Sequence, residues 1–265
     1  MTTVDRGGPP LTVERRSNRA WLRLNRPAKR NALNPALVGA LGAAVRDAVD
    51  DERVRVIVIA GNGPSFCAGA DLGYLHDCAR LGRDPLTFLR TVSDIFTAIA
   101  HSPKPVVAAV HGHAVAGGLE LALVCDVVVA QTGTLIGDGH VRNGLVPGGG
   151  SSLRLPRLVG EPLARWLLLT GELVPAEQLL PSGLVHAVIP HEGFDEGVDD
   201  VAARLAGVHA GAQRVVKTLL HQARRHDDAL LDAELAAFAS HWATTDMASN
   251  LNAFRHAGPA EVDAS

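Results

Sequence analysis

Backbone N–H groups at two glycine-containing turns are the first candidates for chemistry in this sequence. Each turn follows a β-branched apolar run and leads into the start of a helix pattern. The first run is 54–60, with its turn and helix start at 65–72, and the second run is 106–110, with its turn and helix start at 114–120. The first N–H groups of a helix have no partner inside it and carry the positive end of its dipole. Two such turns side by side would offer two donors to one developing oxyanion. By periodicity alone, a pair of ordinary tight turns is the simpler explanation, because glycine-rich turns are common in α/β folds.

The second turn is followed by an acidic side chain. Glu120 lies in the first turn of the predicted helix, within the apolar run 119–123. Burial would raise the pKa of its carboxyl group and make proton transfer near neutral pH feasible. The alternative is a glutamate that only interacts favourably with the positive end of the helix.

No metal site is predicted from the histidines and cysteines. The twelve histidines are scattered, and the pair His111 and His113 alone is a weak signal. The three cysteines form no CxxC motif and no even set, which favours a reducing compartment and predicts a cytoplasmic protein. Cys67 adjoins the first turn and is interpreted as a packing residue.

Composition limits the classes of partner. Apolar residues make up 47% of the 265 residues, enough for a sizeable core. The net charge of -3 carries no basic excess, so no nucleic acid partner is expected. No apolar run approaches the ~20 residues of a membrane-spanning helix, and residues 1–10 have no apolar signal-peptide core, so no membrane association is expected.

These candidate groups need an α/β scaffold to position them. Strand patterns occur at 11–14, 19–25, 54–60, 105–110, 126–130, 135–137 and 184–189. Helix patterns occur at 36–50, from 70, at 85–101, 118–125, 148–158, 162–169 and 175–180, and then at 195–208, 213–225, 227–244 and 247–256. The strand–helix–strand order around the second turn predicts parallel pairing. We expect an α/β core over 1–190, an all-helical region over 191–258 and a flexible tail over 259–265.

Several motifs, in order along the chain, resemble the enoyl-CoA hydratase/isomerase (crotonase) family. They are Leu24-Asn25-Arg26-Pro27 with Asn31-Ala32-Leu33, Ser65-Phe66-Cys67-Ala68-Gly69-Ala70-Asp71-Leu72, Lys104-Pro105-Val106, His111-Gly112, Gly117-Gly118-Leu119-Glu120-Leu121-Ala122, Cys125-Asp126 and Gly144-Leu145-Val146-Pro147-Gly148-Gly149-Gly150. The resemblance runs from about residue 11 to 190 and continues more weakly to 254. It implies a crotonase (ClpP-like) spiral of ββα units with a C-terminal helical oligomerisation region. A homotrimer, or a hexamer built as a dimer of trimers, is then expected.

The resemblance also implies an acyl-CoA thioester as substrate and no cofactor beyond the coenzyme A that the substrate carries. In this family the oxyanion donors fall, by position, on the N–H groups of Ala70 and Gly117. The implied substrate or coenzyme A contacts are Arg26, Lys29, Arg30, Ala68, Asp71, Leu72 and Gly118. The three cationic residues among them could instead be part of a solvated loop. A lysine that members of the family often use for the coenzyme A phosphates is replaced here by Gly73.

The implied acid–base groups depart from the hydratase pattern. Hydratases of this family use two glutamates; Glu120 matches the first, but His140 occupies the place of the second. Imidazole, with an ordinary pKa near 6.5, can still act as acid or base. Asp138 could orient the ring or donate a proton itself. The alternative is a histidine that only packs at the rim of the cleft.

Three functions therefore stay open. The first is hydration or double-bond isomerisation of an enoyl-CoA through a thioester enolate. The second is a hydrolase that uses His140 on C–C or thioester bonds, because the retro-Claisen branch that cleaves β-diketones is similar at this position. That branch carries a histidine near Gly118 and an aspartate near Gly149, and this chain has neither. The third is a non-catalytic acyl-CoA-binding protein with the same fold.

Overall fold

The computed structural model describes residues 8–222 and 227–256, so the predicted flexible tail lies outside the described residues. The strands are β1 Leu11–Arg16, β2 Arg19–Leu24, β3 Val56–Gly61, β4 Val106–Val110, β5 His113–Val115, β6 Val127–Gln131, β7 Leu135–Gly137, β8 Val174–Pro175 and β9 Ala187–Ile189. The α-helices are α1 Pro35–Asp50, α2 Leu72–Arg80, α3 Leu86–Ala100, α4 Gly117–Leu123, α5 Ser151–Val159, α6 Glu161–Thr170, α7 Phe194–Ala206, α8 Ala210–Gln222, α9 Asp227–Thr244 and α10 Met247–His256.

Six strands form the main sheet, in the order β1-β2-β3-β4-β6-β9. The hairpin of β1 and β2 is antiparallel, and every other neighbouring pair in this sheet is parallel. The parallel pairing predicted for β4 and β6 is present. Because parallel strands end at the same edge, the turns that follow β3 and β4 lie side by side.

Both faces of the central strands are buried, which explains their unbroken apolar sequences. One face contributes Ile57 and Ile59, among others, to the main core with α1, α3 and α4. The opposite face, with Val58, packs against Phe194 and Val198 of α7. Helix α7 therefore covers the main sheet from across the predicted boundary at residue 190.

A second, smaller sheet of β5, β7 and β8 was not expected as such, although β7 matches a predicted strand. Strands of two or three residues are too short to show a period of two in the sequence. Strand β5 lies parallel to β7, with Val115 opposite Gly137. This pairing holds the loop after β7 beside the start of α4.

The last two helices pack back on the body of the chain. Helix α9 lies against α3 and α5, and α10 lies against α2 and the 3-10 helix His140–Asn143. Side chains of α9 therefore reach the segment before α5. Among the described residues, every helix is too short or too polar to cross a bilayer.

Candidate active site

The first glycine-containing turn is fastened to the start of the second sheet. Cys67 N donates to His113 O at 3.1 Å, and Val115 N donates to Cys67 O at 3.1 Å. Two residues further on, Gly69 adopts φ +89°, a conformation that favours glycine. The chain then enters α2, whose N-cap is Asp71.

The second turn contains a strained alanine. Ala116 has φ 52° and ψ -118°, which L-residues rarely adopt, and α4 begins at the next residue, Gly117. Such conformations cost of the order of 1–3 kcal/mol and persist where the surroundings impose them. The strain here belongs to the peptide that orients the N–H of Gly117.

The N–H groups of Ala70 and Gly117 are close neighbours. A Cβ atom placed on Gly117 would lie 3.6 Å from Ala70 N, and one placed on Gly69 would lie 3.2 Å from Gly117 N. Within residues 8–222 and 227–256, neither N–H has a hydrogen-bond acceptor. Two adjacent donors of this kind could hold one oxyanion.

A cavity of about 520 Å³ opens beside these turns. Of the residues predicted to contact substrate or carry out chemistry, seven line it: Lys29, Arg30, Ala68, Ala70, Asp71, Leu72 and His140. Five others are not among its lining residues: Arg26, Gly117, Gly118, Glu120 and Asp138. Gly73, at the place where members of the family often have a lysine, lines the cavity as well.

The predicted coenzyme A contacts fall into two groups. Lys29 and Arg30 lie on the cavity wall, as a phosphate-binding role requires. Arg26 instead forms an ion pair with Asp71 at 2.9 Å, and both side chains are largely buried. Asp71 also accepts hydrogen bonds from the N–H groups of Gly73 and Tyr74 at the start of α2. The Arg26–Asp71 ion pair and the Asp71 N-cap therefore stabilise the first turn.

Glu120 is a buried carboxyl group on α4, with 3% of its surface exposed. Its Oε1 accepts hydrogen bonds from Gly149 N at 2.8 Å and Ser151 N at 3.2 Å. Burial raises the pKa of Glu120, and so do the nearby charges of Glu234 and Asp138, while His140 acts in the opposite direction. A raised pKa makes the ionised form of a carboxyl group a stronger base.

His140 and Asp138 form a buried pair in the loop after β7. Nδ1–H of His140 donates to Asp138 Oδ1 at 2.9 Å, and Asp138 is fully buried. Burial by itself lowers the pKa of His140, but the charge and hydrogen bond of Asp138, helped by Glu120 and Glu234, outweigh it and raise the pKa to about 9. The ring is therefore an imidazolium at neutral pH, and its Nε2 is the nitrogen left for a ligand.

Comparison with known proteins assigns the chain to a family. The family model for enoyl-CoA hydratase/isomerase matches residues 14–262. The chain belongs to the enoyl-CoA hydratase/isomerase family. This membership confirms the predicted acyl-CoA-processing enzyme of the crotonase superfamily.

Relatives and solved structures of the family match nearly the whole chain. A crotonyl-CoA hydratase of Syntrophomonas wolfei is 33% identical, covering 92% of this chain and 94% of that protein. A 2,3-dehydroadipyl-CoA hydratase of Escherichia coli is 36% identical over the same shares. An enoyl-CoA hydratase structure from Mycobacterium avium subsp. paratuberculosis gives a TM-score of 0.84 at 30% identity, covering 93% of this chain and 99% of that one. These matches confirm the predicted crotonase fold.

Two glycines at the family's site are enforced by packing. A Cβ atom on Gly118 would lie 2.1 Å from Cys67 O, and one on Gly149 would lie 2.6 Å from Glu120 Oε2. These are the positions near which the retro-Claisen branch carries its histidine and aspartate. At Gly118 the conflict is with backbone, which leaves no room for a side chain, whereas at Gly149 it is with the side chain of Glu120.

One buried carboxylate near the family's site was missed by the sequence analysis. Glu234 of α9 accepts hydrogen bonds from Gly150 N at 2.5 Å and Ser152 N at 2.9 Å. It is 8% exposed and lies 84 residues from Gly150 in sequence. The available signal was a single acidic residue within the otherwise apolar stretch 233–238.

Proposed function

We propose that the protein hydrates 2-enoyl-CoA thioesters, with Glu120 as general base and His140 as general acid. The observation that carries this proposal is the buried Asp138–His140 pair. A hydratase needs one group that accepts a proton from water and one that delivers a proton to Cα. The imidazolium held by Asp138 can deliver the proton to Cα, and the carboxylate form of Glu120 can accept one from water.

The thioester enolate would be held by backbone donors. When hydroxide adds to Cβ of the enoyl thioester, negative charge moves to the thioester oxygen. The donors to this oxygen would be the N–H groups of Ala70 and Gly117. Their proximity and the lack of an acceptor for either among the described residues support this role. Removing one such donor typically costs a factor of ~10²–10³ in rate.

The proton balance of the proposed step is simple. Glu120 takes one proton from water as its oxygen bonds to Cβ, and His140 gives one proton to Cα as the enolate collapses. The double bond becomes a single bond carrying hydroxyl and hydrogen, and the enzyme ends with Glu120 protonated and His140 neutral. Transfer of one proton through solvent or between the two groups restores the starting state.

The names of the relatives support hydration over the other reactions of the family. Both curated relatives described above are hydratases acting on enoyl-CoA thioesters. Isomerisation of a 3-enoyl-CoA needs one group that moves a proton between carbons, and Glu120 alone could do this. A buried second acid in His140 has no function in that scheme.

Binding of the nucleotide end of coenzyme A is assigned to Lys29 and Arg30. Both line the cavity and carry positive charge toward the 3′-phosphate or pyrophosphate. We further propose that the enzyme is a trimer or a hexamer, because α8 exposes a row of apolar side chains that a monomer would leave in water: Val215, Val216, Leu219 and Leu220. The three cysteines are unpaired, which suits the cytoplasm.

A panel of three substrates tests the proposed reaction. Purified enzyme is assayed with crotonyl-CoA, a 3-enoyl-CoA and a cyclic β-diketone, and the products are identified by mass spectrometry. We expect 3-hydroxybutyryl-CoA from crotonyl-CoA and loss of at least ~10²-fold in kcat for Glu120→Gln. Turnover of the 3-enoyl-CoA or the diketone alone would contradict hydration. Binding of all CoA esters without turnover would point to a non-catalytic protein.

A further inference from the structure

Four successive N–H groups of one turn are shared between two carboxylates. In the turn formed by residues 148–152, whose last two residues begin α5, Glu120 accepts from Gly149 N and Ser151 N. Glu234 accepts from Gly150 N and Ser152 N, and also from the Ser152 hydroxyl. The two acids come from α4 and α9, and they contact alternate residues of the same turn.

This turn depends on those hydrogen bonds for its position. Three of its five residues are glycines, which contribute no side-chain packing, and Gly150 has φ +102°. A Cβ atom on Gly150 would lie 1.8 Å from Nη1 of Arg154, the atom that donates to Gly149 O at 2.7 Å. Charge-assisted bonds to backbone N–H groups are stronger than neutral ones, so the carboxylate of Glu234 is well suited to fix the turn.

We propose that Glu234 is a positioning residue for the reaction: from α9 it fixes the 148–152 turn, whose N–H groups orient the carboxylate of Glu120. This inference rests on the proposed function, in which Glu120 is the base. The inference also links the C-terminal helix α9 to catalysis, because the orientation of Glu120 then depends on how α9 packs against α5.

The charges around Glu120 give the proposal a measurable signature. Those facing it are Asp138 and His140 from the loop after β7, Glu234 from α9, and Arg154 of α5 through the carbonyl of Gly149. After burial, Glu234 is one of the two carboxylates that raise the pKa of Glu120. Removing its charge therefore makes Glu120 easier to ionise. Loosened packing that admits water would lower the pKa of Glu120 as well, so Glu234→Asp, which keeps the charge and disturbs the packing, is the comparison that separates the two causes.

Three variants separate charge from geometry. Glu234→Gln removes the charge and turns an N–H donor toward Gly150 N or Ser152 N. Glu234→Asp keeps the charge and shortens the side chain. Glu177→Gln is the matched control, because Glu177 accepts from the backbone N–H of Gly133 at 2.9 Å in a turn remote from Glu120.

We expect Glu234→Gln to lower kcat by ~10–100-fold with little change in KM, since small displacements of a reacting group have effects of this size. The acid limb of its kcat profile should move to lower pH. Glu234→Asp should lower kcat and leave that limb near its wild-type position, and Glu177→Gln should match wild type. Wild-type kcat and an unmoved limb in Glu234→Gln would overturn the proposal, as would losses that only follow the folded fraction.

A readout without turnover keeps this test separate from the proposed reaction. The Glu120 carboxyl is titrated by difference infrared spectroscopy against Glu120→Gln, in the Glu234 background and in Glu234→Gln. A pKa of Glu120 that is lower in Glu234→Gln, and not lower in Glu234→Asp measured in the same way, supports the coupling even if wild type hydrates no enoyl-CoA. An unchanged pKa refutes it whichever reaction the enzyme performs.

Discussion

Replacing Asp138 by asparagine should remove the positive charge from His140 at neutral pH. The asparagine side chain keeps an oxygen for the ring Nδ1–H and has nearly the same shape as aspartate, so the perturbation is mainly the loss of one buried negative charge. His140 has an ordinary pKa of 6.5 and a value of about 9 in the folded protein. That gap corresponds to about 3 kcal/mol in favour of the imidazolium, with the charge of Asp138 as the largest stabilising contribution.

The sign of the effect follows from the role of His140 as an acid. The ring must be protonated, so activity is lost as pH rises through its pKa, and wild type should show a basic limb at about 9. In Asp138→Asn burial still lowers the pKa, so the limb should fall to about 6.5 or below. At about pH 7.5 the protonated fraction would drop from nearly all to about one-tenth, a loss of ~10-fold in kcat that shrinks as pH is lowered toward 6.

The assay is a pH–rate profile of crotonyl-CoA hydration, paired with an NMR titration of the His140 ring assigned through His140→Gln. Asp246→Asn, which alters an exposed carboxylate bonded to Ser249, is the control and should keep the wild-type profile. A basic limb of Asp138→Asn that coincides with wild type would refute the assignment of His140 as acid. So would a uniform loss of activity at every pH.

Three further predictions address the turns and the coenzyme A contacts. Gly149→Ala should displace Glu120 and lower kcat by ~10–100-fold. Gly148→Ala is the control and should be tolerated, because its Cβ would make contacts of 3.7 Å or longer; equal losses of kcat in the two variants would contradict the prediction. Ala116→Gly should keep activity and leave the melting temperature unchanged or higher, because it relieves a strained φ. Ala114→Gly is the control and should lower the melting temperature; equal decreases in the two variants would count against strain at Ala116. The double variant Lys29→Ala, Arg30→Ala should raise KM for enoyl-CoA ~10-fold at low salt and leave kcat unchanged. It should not affect turnover of a pantetheine thioester, which lacks the nucleotide phosphates, and Arg53→Ala should behave as wild type. An equal effect on both thioesters would exclude a phosphate contact.

Much of the scaffold could be predicted from sequence because its signals are local. The β-branched run 54–60 was sufficient to predict a strand. The helix predicted over 36–50 begins in the structure after an Asn34 cap, whose side chain accepts a hydrogen bond from Leu37 N. Burial of Glu120 could also be predicted, because it has apolar neighbours on both sides along the helix. Each of these features depends on residues that are close together in the chain.

The parts that could not be predicted depend on contacts between distant segments. Strand β5 has three residues and is defined by its pairing with β7, so its own sequence gives no period to detect. Burial of Asp138 beside His140 arises where Gly139 adopts φ 64° between them, which the sequence allows and does not require. Glu234 reaches the 148–152 turn, which leads into α5, through helix packing, and the residues between them carry no sign of it.

The most direct test of the central claim is a crystal structure with a bound acyl-CoA. We predict the thioester oxygen within ~2.7–3.1 Å of both Ala70 N and Gly117 N, with Glu120 facing Cβ and His140 Nε2 facing Cα. A thioester oxygen bonded elsewhere, or an acyl chain that leaves either Glu120 or His140 out of reach of these carbons, would contradict the account.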